Sequence, residues 1–460
     1  MDTKVEMKEN KMGAMPVNRL LLSMSLPMMI SMLVQALYNV VDSIFVSRIN
    51  ENALTAVSLA FPMQSLMIAI GAGTGVGVNA MLSKALGEKE YSKANKAAGN
   101  GVFLSAMSYL VFLVIGLVAV NPFYRSQTMD AEIIAFGRQY MTAVCCFSFG
   151  IYTQFIFERL LQSTGKTFYT MITQATGAVI NIILDPILIF GYFGMPKLGV
   201  RGAAIATVIG QIVASIMAIY INKKKNTEIS LKLDSFRPDA ATIKQIYAVG
   251  VPSIIMQSIG SLMTYGMNKI LLGFTSTAAA VFGVYFKMQS FIFMPIFGLN
   301  NGMIPIVAYN YGAGKKDRLV KVIKLSVCYA VGIMIVGFAI FQIFPAQLFS
   351  LFDASETMLS IGVPALRIIS VHFLIAGFCI IFGSVFQSLG NGVYSLAVSV
   401  ARQLVVLLPA AYLLSLTGNV NNVWWAFPIA EMMSAAVSVF FLFRIYHKVI
   451  KHIGETRMAA

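Results

Sequence analysis

The chain has 460 residues, of which 58% are hydrophobic and only 12% charged, and its mean hydropathy is +0.77. A water-soluble domain carries about 25% charged residues, so this much apolar surface cannot be enclosed in one soluble core. The formal net charge of +15 would suit a nucleic-acid partner. The basic residues, however, fall mostly in short connectors between apolar runs, which is typical of a membrane protein. We therefore expect membrane lipid around the chain and no nucleic acid.

The apolar runs predict an all-α integral membrane protein, because about 20 apolar residues cross a bilayer as one helix. Twelve transmembrane helices are expected in two six-helix bundles around a central cleft. Taken in chain order, the predicted spans cover about 17–47, 53–82, 95–120, 131–156, 167–191, 199–221, 242–272, 277–308, 319–342, 357–386, 393–416 and 422–445.

A charged segment divides the chain near its middle. The predicted parts are a cytoplasmic N-terminal segment 1–16, an N-lobe 17–221, a cytoplasmic linker 222–241, a C-lobe 242–446 and a cytoplasmic tail 447–460. Most Lys and Arg residues fall in the segments that share a side with both termini, and few fall in the other connectors. By the positive-inside rule, both termini are expected to be cytoplasmic, in the plasma (inner) membrane.

The two halves resemble each other when the first is laid on the second without gaps, so that Pro27 coincides with Pro252. In this alignment MQS at 63–65 coincides with MQS at 288–290. Three glycines also coincide with three in the second half: Gly73, Gly77 and Gly87 with Gly298, Gly302 and Gly312. Six spans per half is an even number, so both halves enter from the same side. The predicted lobes are thus related by a pseudo-twofold axis along the membrane normal, an arrangement typical of transporters.

The first predicted span carries a polar stripe. Gln35, Asn39 and Asp42 follow the spacing i, i+4, i+7, which places them on one helical face, and Tyr38 lies beside them. A carboxylate in a membrane span costs about 3 kcal/mol on insertion scales and is a functional candidate for that reason. We take Gln35, Tyr38 and Asn39 as candidates for the wall of a substrate cavity.

Asn181 and Asp185 form a similar stripe on the fifth span, with the spacing i, i+4. The simplest arrangement turns this stripe and Asp42 toward one cavity. Two carboxylates in a low-dielectric cavity resist being ionised together, which would make the pair a proton carrier. Alternatively, oxygen ligands at Asp42, Asn181 and Asp185 would suit a small cation such as Na+. A third interpretation is that each Asp is merely hydrogen-bonded within a packed bundle.

Pro27 lies on the same span as Asp42 and predicts a bend, either static or a moving hinge. Met63, Gln64, Met288 and Gln289 occupy repeat-related positions on the second and eighth spans and are further cavity candidates. The second half carries ionisable residues whose roles the sequence does not fix: Lys269, Lys287, Arg367, His372, Arg402 and Glu431.

Over about residues 15–450, the chain resembles the multidrug and toxic compound extrusion (MATE) family, in particular its bacterial MepA-like and DinF-like members. The matching pieces are Pro27 with VDSIFVSRINENALTAVSLAFP, NIILDPILIFG at 181–191, GVRGAAIATVIGQ at 199–211 and the paired QSxG segments. The resemblance implies a V-shaped cleft and export of organic cations in exchange for protons or sodium ions. It also implies bending at Pro27 and a cation site formed by Asp42, Asn181, Asp185, Thr207 and Tyr140.

The polar stripes together with this resemblance imply a cation-coupled multidrug efflux antiporter that works by alternating access, as a single chain and without a cofactor. Its partners would be small organic cations or drugs and a coupling ion, H+ or Na+. NorM-like members of the family carry further carboxylates in the seventh and tenth spans. The corresponding spans of this chain contain none, so coupling should depend on the N-lobe. The alternative is a lipid-linked precursor flippase, which Lys287, Arg367 and Arg402 leave open. An enzyme is disfavoured because the sequence shows no Ser/His/Asp set and no HExxH motif.

Overall fold

The structure, a computed structural model, describes residues 9–231, 233–352 and 354–454, and these ranges consist of helices and short connectors. The first half contains α1 (Lys11–Ala14), α2 (Val17–Ser47), α3 (Glu51–Leu59), α4 (Phe61–Gly87), α5 (Tyr91–Val118), α6 (Val120–Gln127), α7 (Ala131–Cys146), α8 (Phe149–Ser163), α9 (Thr167–Phe190) and α10 (Val200–Lys225). Short 3-10 helices cover Tyr192–Gly194 and Leu233–Phe236.

The second half contains α11 (Ala240–Leu272), α12 (Ser276–Gly312), α13 (Lys316–Ile343), α14 (Pro345–Ser350), α15 (Glu356–Ile369), α16 (Phe373–Ser388), α17 (Gly392–Val400), α18 (Leu408–Ser415), α19 (Val420–Val423) and α20 (Ala426–Ile445). A 3-10 turn at Ser370–His372 joins α15 to α16. Two π-helical segments, Ala401–Leu407 and Tyr446–Ile450, follow α17 and α20.

The helices confirm the predicted number of membrane crossings. Within the described ranges, eleven helical stretches are long and apolar enough to cross a membrane, and α7 with α8 makes a twelfth crossing that is bent by 45°. Helix starts and ends also repeat between the halves with the same offset that aligns Pro27 with Pro252. The helices that begin at Tyr91 and Thr167, for example, correspond to those that begin at Lys316 and Gly392. The two-lobed, twelve-helix architecture predicted from the sequence is therefore confirmed.

The two halves touch through glycines near the face that holds the ends of α10 and the start of α11, which we call the linker face. A Cβ atom on Gly77 of α4 would lie 2.1 Å from the carbonyl oxygen of Ile246 on α11. A Cβ atom on Gly302 of α12 would similarly lie 2.6 Å from the Cα atom of Ser25 on α2. Only glycine permits backbones to approach this closely, so small residues hold the halves together here.

Toward the opposite face, the same surfaces of these helices are exposed. Asn39 lies about four turns beyond Ser25 on α2, and Tyr265 lies about four turns beyond Gly250 on α11. Both side chains are exposed. On a regular helix, Asn39 points within about 40° of the direction of Ser25, and Tyr265 within about 60° of that of Gly250. The halves therefore diverge into a cleft that is closed at the linker face and open on the other side.

A short N-terminal segment, residues 10–15, joins the two halves across the linker face. The Asn10 side chain donates to the carbonyl of Thr164 in the first half at 3.0 Å. The carbonyl of Met12 accepts hydrogen bonds from Asn310 and Arg318 of the second half, each at 3.1 Å. We call residues 10–15 the N-terminal bridge, because it binds both halves at the closed end of the cleft.

Candidate ion-coupling site

Two carboxyl groups from different helices meet inside the first half. Asp42 lies on α2, whose outer part packs against α9, and Asp185 lies on α9 just before Pro186. Asp185 is fully buried and Asp42 is half-buried. The two carboxyl groups lie within hydrogen-bonding distance of each other. The structure thus brings together the two acids that the sequence placed on separate stripes.

Asn181 connects Asp185 to the neighbouring helix α10. With its amide nitrogen turned toward Asp185, it donates to Oδ2 of that carboxyl group at 3.0 Å. Its amide oxygen then accepts from the backbone N–H of Thr207 at 2.9 Å and from the Thr207 hydroxyl at 3.1 Å. This orientation satisfies both ends of the amide, so we assign it. Asn181 and Thr207 therefore hold Asp185 in place.

Two tyrosines lie beside the carboxyl pair. Tyr38, one turn before Asp42 on α2, lies close enough to Thr207 and to both acids for electrostatic interaction. Tyr140 on α7 is buried and accepts a hydrogen bond from the side chain of Gln64 at 3.0 Å, close enough to Asp42 for electrostatic interaction. The cluster therefore draws on α2, α4, α7, α9 and α10, which makes its geometry sensitive to how the first half is packed.

The carboxyl pair has unused hydrogen-bonding capacity. Oδ1 of Asp42 and Oδ1 of Asp185 are both buried and have no hydrogen-bond partner among the described residues. Two carboxylates in contact cannot both be ionised unless a positive charge is shared between them. A proton or a small hard cation would meet that requirement, and the surrounding amide and hydroxyl groups suit either one.

The remaining cavity candidates are not all on the cleft. Gln35 and Asn39 are exposed, and Gln289 is half-buried. The Met63 sulfur lies 3.9 Å from that of Cys145, so this side chain packs against α7. Met288 is buried in the hydrophobic core rather than exposed on the cleft, contrary to the cavity position expected for it. The adjacent residue, Lys287, is exposed instead.

Pro27 interrupts the hydrogen bonding of α2 without ending the helix. The two residues that follow it, Met28 and Met29, contact Gly298 of α12, where the halves touch. The outer part of α2, with Asp42, lies beyond this point. Whether Pro27 is a hinge therefore stays a prediction, but its position separates the part of α2 that contacts the second half from the part that carries the acid.

Four ionisable or polar side chains form a buried network in the second half. Oε2 of Glu431 on α20 lies 3.2 Å from Nη1 of Arg402 and 3.5 Å from Nδ1 of His372. The Tyr285 hydroxyl lies 3.2 Å from Nε2 of the same histidine. Arg402 belongs to the π-helical segment, and His372 to the 3-10 turn between α15 and α16. The sequence left the partner of Glu431 open, and the structure identifies it.

A further buried acid lies between two helices of the first half. Glu158 on α8 accepts hydrogen bonds from Gln154 at 2.9 Å, from Thr173 at 2.9 Å and from Gln174 at 2.8 Å. All of these donors lie on α8 or α9. The i, i+4 spacing of Gln154 and Glu158 was the available signal. With its oxygens satisfied in this way, Glu158 is a structural group between these helices.

The comparisons with known proteins agree with this architecture. The chain is 26% identical over 432 residues to the multidrug export protein MepA of Staphylococcus haemolyticus, covering 92% of this chain and 93% of that one. A solved structure described as the outward-facing conformation of a multidrug resistance MATE family transporter of the MOP superfamily is 27% identical. It has a TM-score of 0.90 over 97% of this chain and 99% of that one.

A second solved structure differs in its description. It is a MOP superfamily transporter from Pyrococcus furiosus, whose reported reverse polarity of the binding pocket suggests a different function. It is 26% identical, with a TM-score of 0.88 over 97% of this chain and 99% of the other. The MatE family model matches residues 27–187 and again 252–413, two matches that follow the internal repeat. The chain is thus a multi-pass membrane protein that belongs to the MatE family.

Proposed function

We propose that the chain is a multidrug efflux antiporter in which uptake of H+ or Na+ at Asp42 and Asp185 drives export of amphipathic, mainly cationic compounds. The observation that carries the proposal is the contact between these two carboxyl groups, at the side of a cleft between two lobes. Similarity to the multidrug export protein MepA and to multidrug resistance transporters supports the substrate class.

Coupling requires that the ion and the drug favour opposite states of the transporter. The linker face is the cytoplasmic side, because it holds most of the basic residues, so the present cleft opens outward. An ion that enters from outside would bind the carboxyl pair and draw α2 against α9 and α10. Because α2 also lines the cleft, this repacking would displace the bound drug. Closure of the outer side and opening of the linker face would then release the ion to the cytoplasm.

The decisive test is ion-driven transport by carboxylate variants. In proteoliposomes with separately imposed proton and sodium gradients, we expect Asp185→Asn to abolish ethidium transport while the protein still inserts and purifies as the native chain does. Asp317→Asn is the matched control, because Asp317 is exposed in the first turn of α13 and far from the cluster. Undiminished ion-driven transport by Asp185→Asn would refute the role of the carboxyl pair.

One observation favours a second candidate function, a lipid-linked precursor flippase. The exposed Lys287 adds positive charge to the second half, and a cationic cavity suits a pyrophosphate group. The buried acids of the first half favour cation-coupled export instead. Binding of a polyprenyl pyrophosphate in preference to ethidium would identify the flippase.

A further inference from the structure

Lys287 of α12 points into the cleft. It lies about three turns before Gly298, the residue that touches Met28 and Met29 of α2. Pro295 lies between these two residues, but α12 continues through it, and on a continuous helix that separation places them within about 20° of the same face. The face that contacts the first half near the linker face therefore carries Lys287 further out, where the halves have separated. Its side chain is exposed there, as expected for a group on the cleft wall.

The register between the two helices gives the depth of Lys287. Gly302 lies opposite Ser25 and Gly298 lies opposite Met29, so α2 and α12 are antiparallel. Continuing that register places Lys287 opposite Val40, at the level of the polar segment of α2 that includes Asn39 and Asp42. The lysine thus faces this segment across the open cleft.

The charge of Lys287 is not balanced by a neighbouring acid. None of the described residues forms an ion pair with it. On the cleft-facing parts of the two lobes, the acids are already engaged: Asp42 and Asp185 contact each other, and Glu431 is paired with Arg402. An ammonium group on a cleft with low-dielectric walls focuses a positive potential into that cleft.

Polar side chains of α11 lie on the same wall of the cleft as the lysine. The short connector Gly273–Thr275 joins α11 to α12, which run in opposite directions from it. Ser261 and Lys287 are equally far from that connector along their own helices and are therefore at the same depth, with Gln257 one turn deeper. Both α11 side chains are exposed, and both fall within about 20° of Gly250 on the helical face that meets α4 at the linker face.

We propose that Lys287, together with Gln257 and Ser261, forms an anion-recognising subsite on the second-half wall of the cleft. The transporter therefore prefers amphipathic substrates that carry a carboxylate in addition to their cationic group. Such a carboxylate accepts a charge-assisted hydrogen bond from the ammonium group, an interaction that a purely cationic ligand does not gain. This inference rests on the proposed export function, because it assigns a substrate class to the same cleft.

The test compares two dyes that differ by one group. Rhodamine B carries a delocalised cation and a free carboxylate, and its ethyl ester keeps the cation but lacks the negative charge. Fluorescence anisotropy with the purified full-length protein gives both affinities. We expect the native chain to favour rhodamine B, and Lys287→Gln to lower the affinity ratio of acid to ester about tenfold, the effect of one charge-assisted hydrogen bond.

Two variants complete the design. Lys287→Arg should restore the ratio, since it keeps the positive charge. Lys269→Gln should leave the ratio unchanged, because Lys269 is exposed but lies about 100° around α11 from Gly250 and the cleft-facing surface. A ratio taken within one protein sample is not altered by a fraction of misfolded molecules. An unchanged ratio in Lys287→Gln, or equal weakening of both dyes, would overturn the subsite.

Failure of the subsite differs from failure of the export function. Suppose that the native chain transports ethidium under an ion gradient but has the same acid-to-ester affinity ratio as Lys287→Gln. That result refutes the subsite alone. A native chain without gradient-driven transport of either dye or of ethidium refutes the proposed function, whatever the ratio.

Discussion

Replacing Arg402 by glutamine should destabilise the second half, because it would leave Glu431 without its closest positive partner. The Glu431 side chain is only 2% exposed, and its Oε2 atom lies 3.2 Å from Nη1 of Arg402. The other oxygen, Oε1, is buried and has no hydrogen-bond partner within the described part of the chain. Removing one member of a buried ion pair costs about 3–5 kcal/mol.

The expected cost here is somewhat lower. The Arg402 side chain is 30% exposed, so water screens part of its charge, and His372 remains 3.5 Å from Glu431 in the variant. We expect a loss of about 2–3 kcal/mol in unfolding free energy. For a unit the size of one half, this corresponds to a decrease of about 5–10 °C in unfolding temperature.

The assay is thermal unfolding of the purified protein in detergent, at one fixed scan rate. Arg367→Gln is the matched control, because this arginine is exposed on α15, and it should change the unfolding free energy by less than about 0.5 kcal/mol. The double variant Arg402→Gln/Glu431→Gln should recover most of the loss, since no buried charge remains. An unfolding temperature of Arg402→Gln equal to that of the native chain, or a double variant as unstable as the single one, would refute the reasoning.

Two further predictions concern the linker face. Gly77→Ala should cost about 1–3 kcal/mol in stability, since its Cβ atom would lie 2.1 Å from the Ile246 carbonyl oxygen, whereas Gly283→Ala, with nothing within 4 Å, should be neutral. Thermal unfolding measures both, and equal effects would contradict the close-contact argument. The hydrogen bond with Lys315 lowers the pKa of Glu9 from 4.5, so this pair stabilises the N-terminal bridge above pH 4.5 and stops doing so as the pH falls through the lowered pKa. Glu9→Gln should therefore speed amide hydrogen exchange of residues 10–15 at neutral pH. In acid, the exchange rates of the variant and the native chain should be equal. A difference in rate that persists in acid would exclude the pair as the cause.

The contact between the two acids could be predicted from the sequence, because a polar stripe on a membrane helix must face protein or water rather than lipid. Asp42 and Asp185 each lie in a largely apolar stretch, so both stripes had to turn inward. The same argument fails for Met288 and Lys287. They are adjacent, and successive side chains on a helix point about 100° apart. Met288 therefore faces the core while Lys287 faces the cleft. Nearly every face of α12 is apolar, so periodicity does not distinguish them.

The network around Glu431 could not be predicted either, for a different reason. Its members come from four separate helical segments, and the pairing with Arg402 depends on how α20 packs against the π-helical turn. The N-terminal bridge shows no repeating pattern at all, and its partners Thr164 and Asn310 come from different halves of the chain. Tertiary packing, rather than local propensity, determines both features.

The glycine contacts between the halves occur in symmetric pairs. Gly87 lies against the carbonyl oxygen of Tyr309, and Gly312 lies against that of Lys84, so the internal repeat reproduces this contact. Such an interface is isologous: one surface is complementary to its own copy. A six-helix chain with this surface could form the same closed face without a linker, by pairing with a second molecule that has the same orientation in the membrane. The covalent connection between α10 and α11 therefore fixes the one-to-one ratio of the two lobes and allows them to differ in charge.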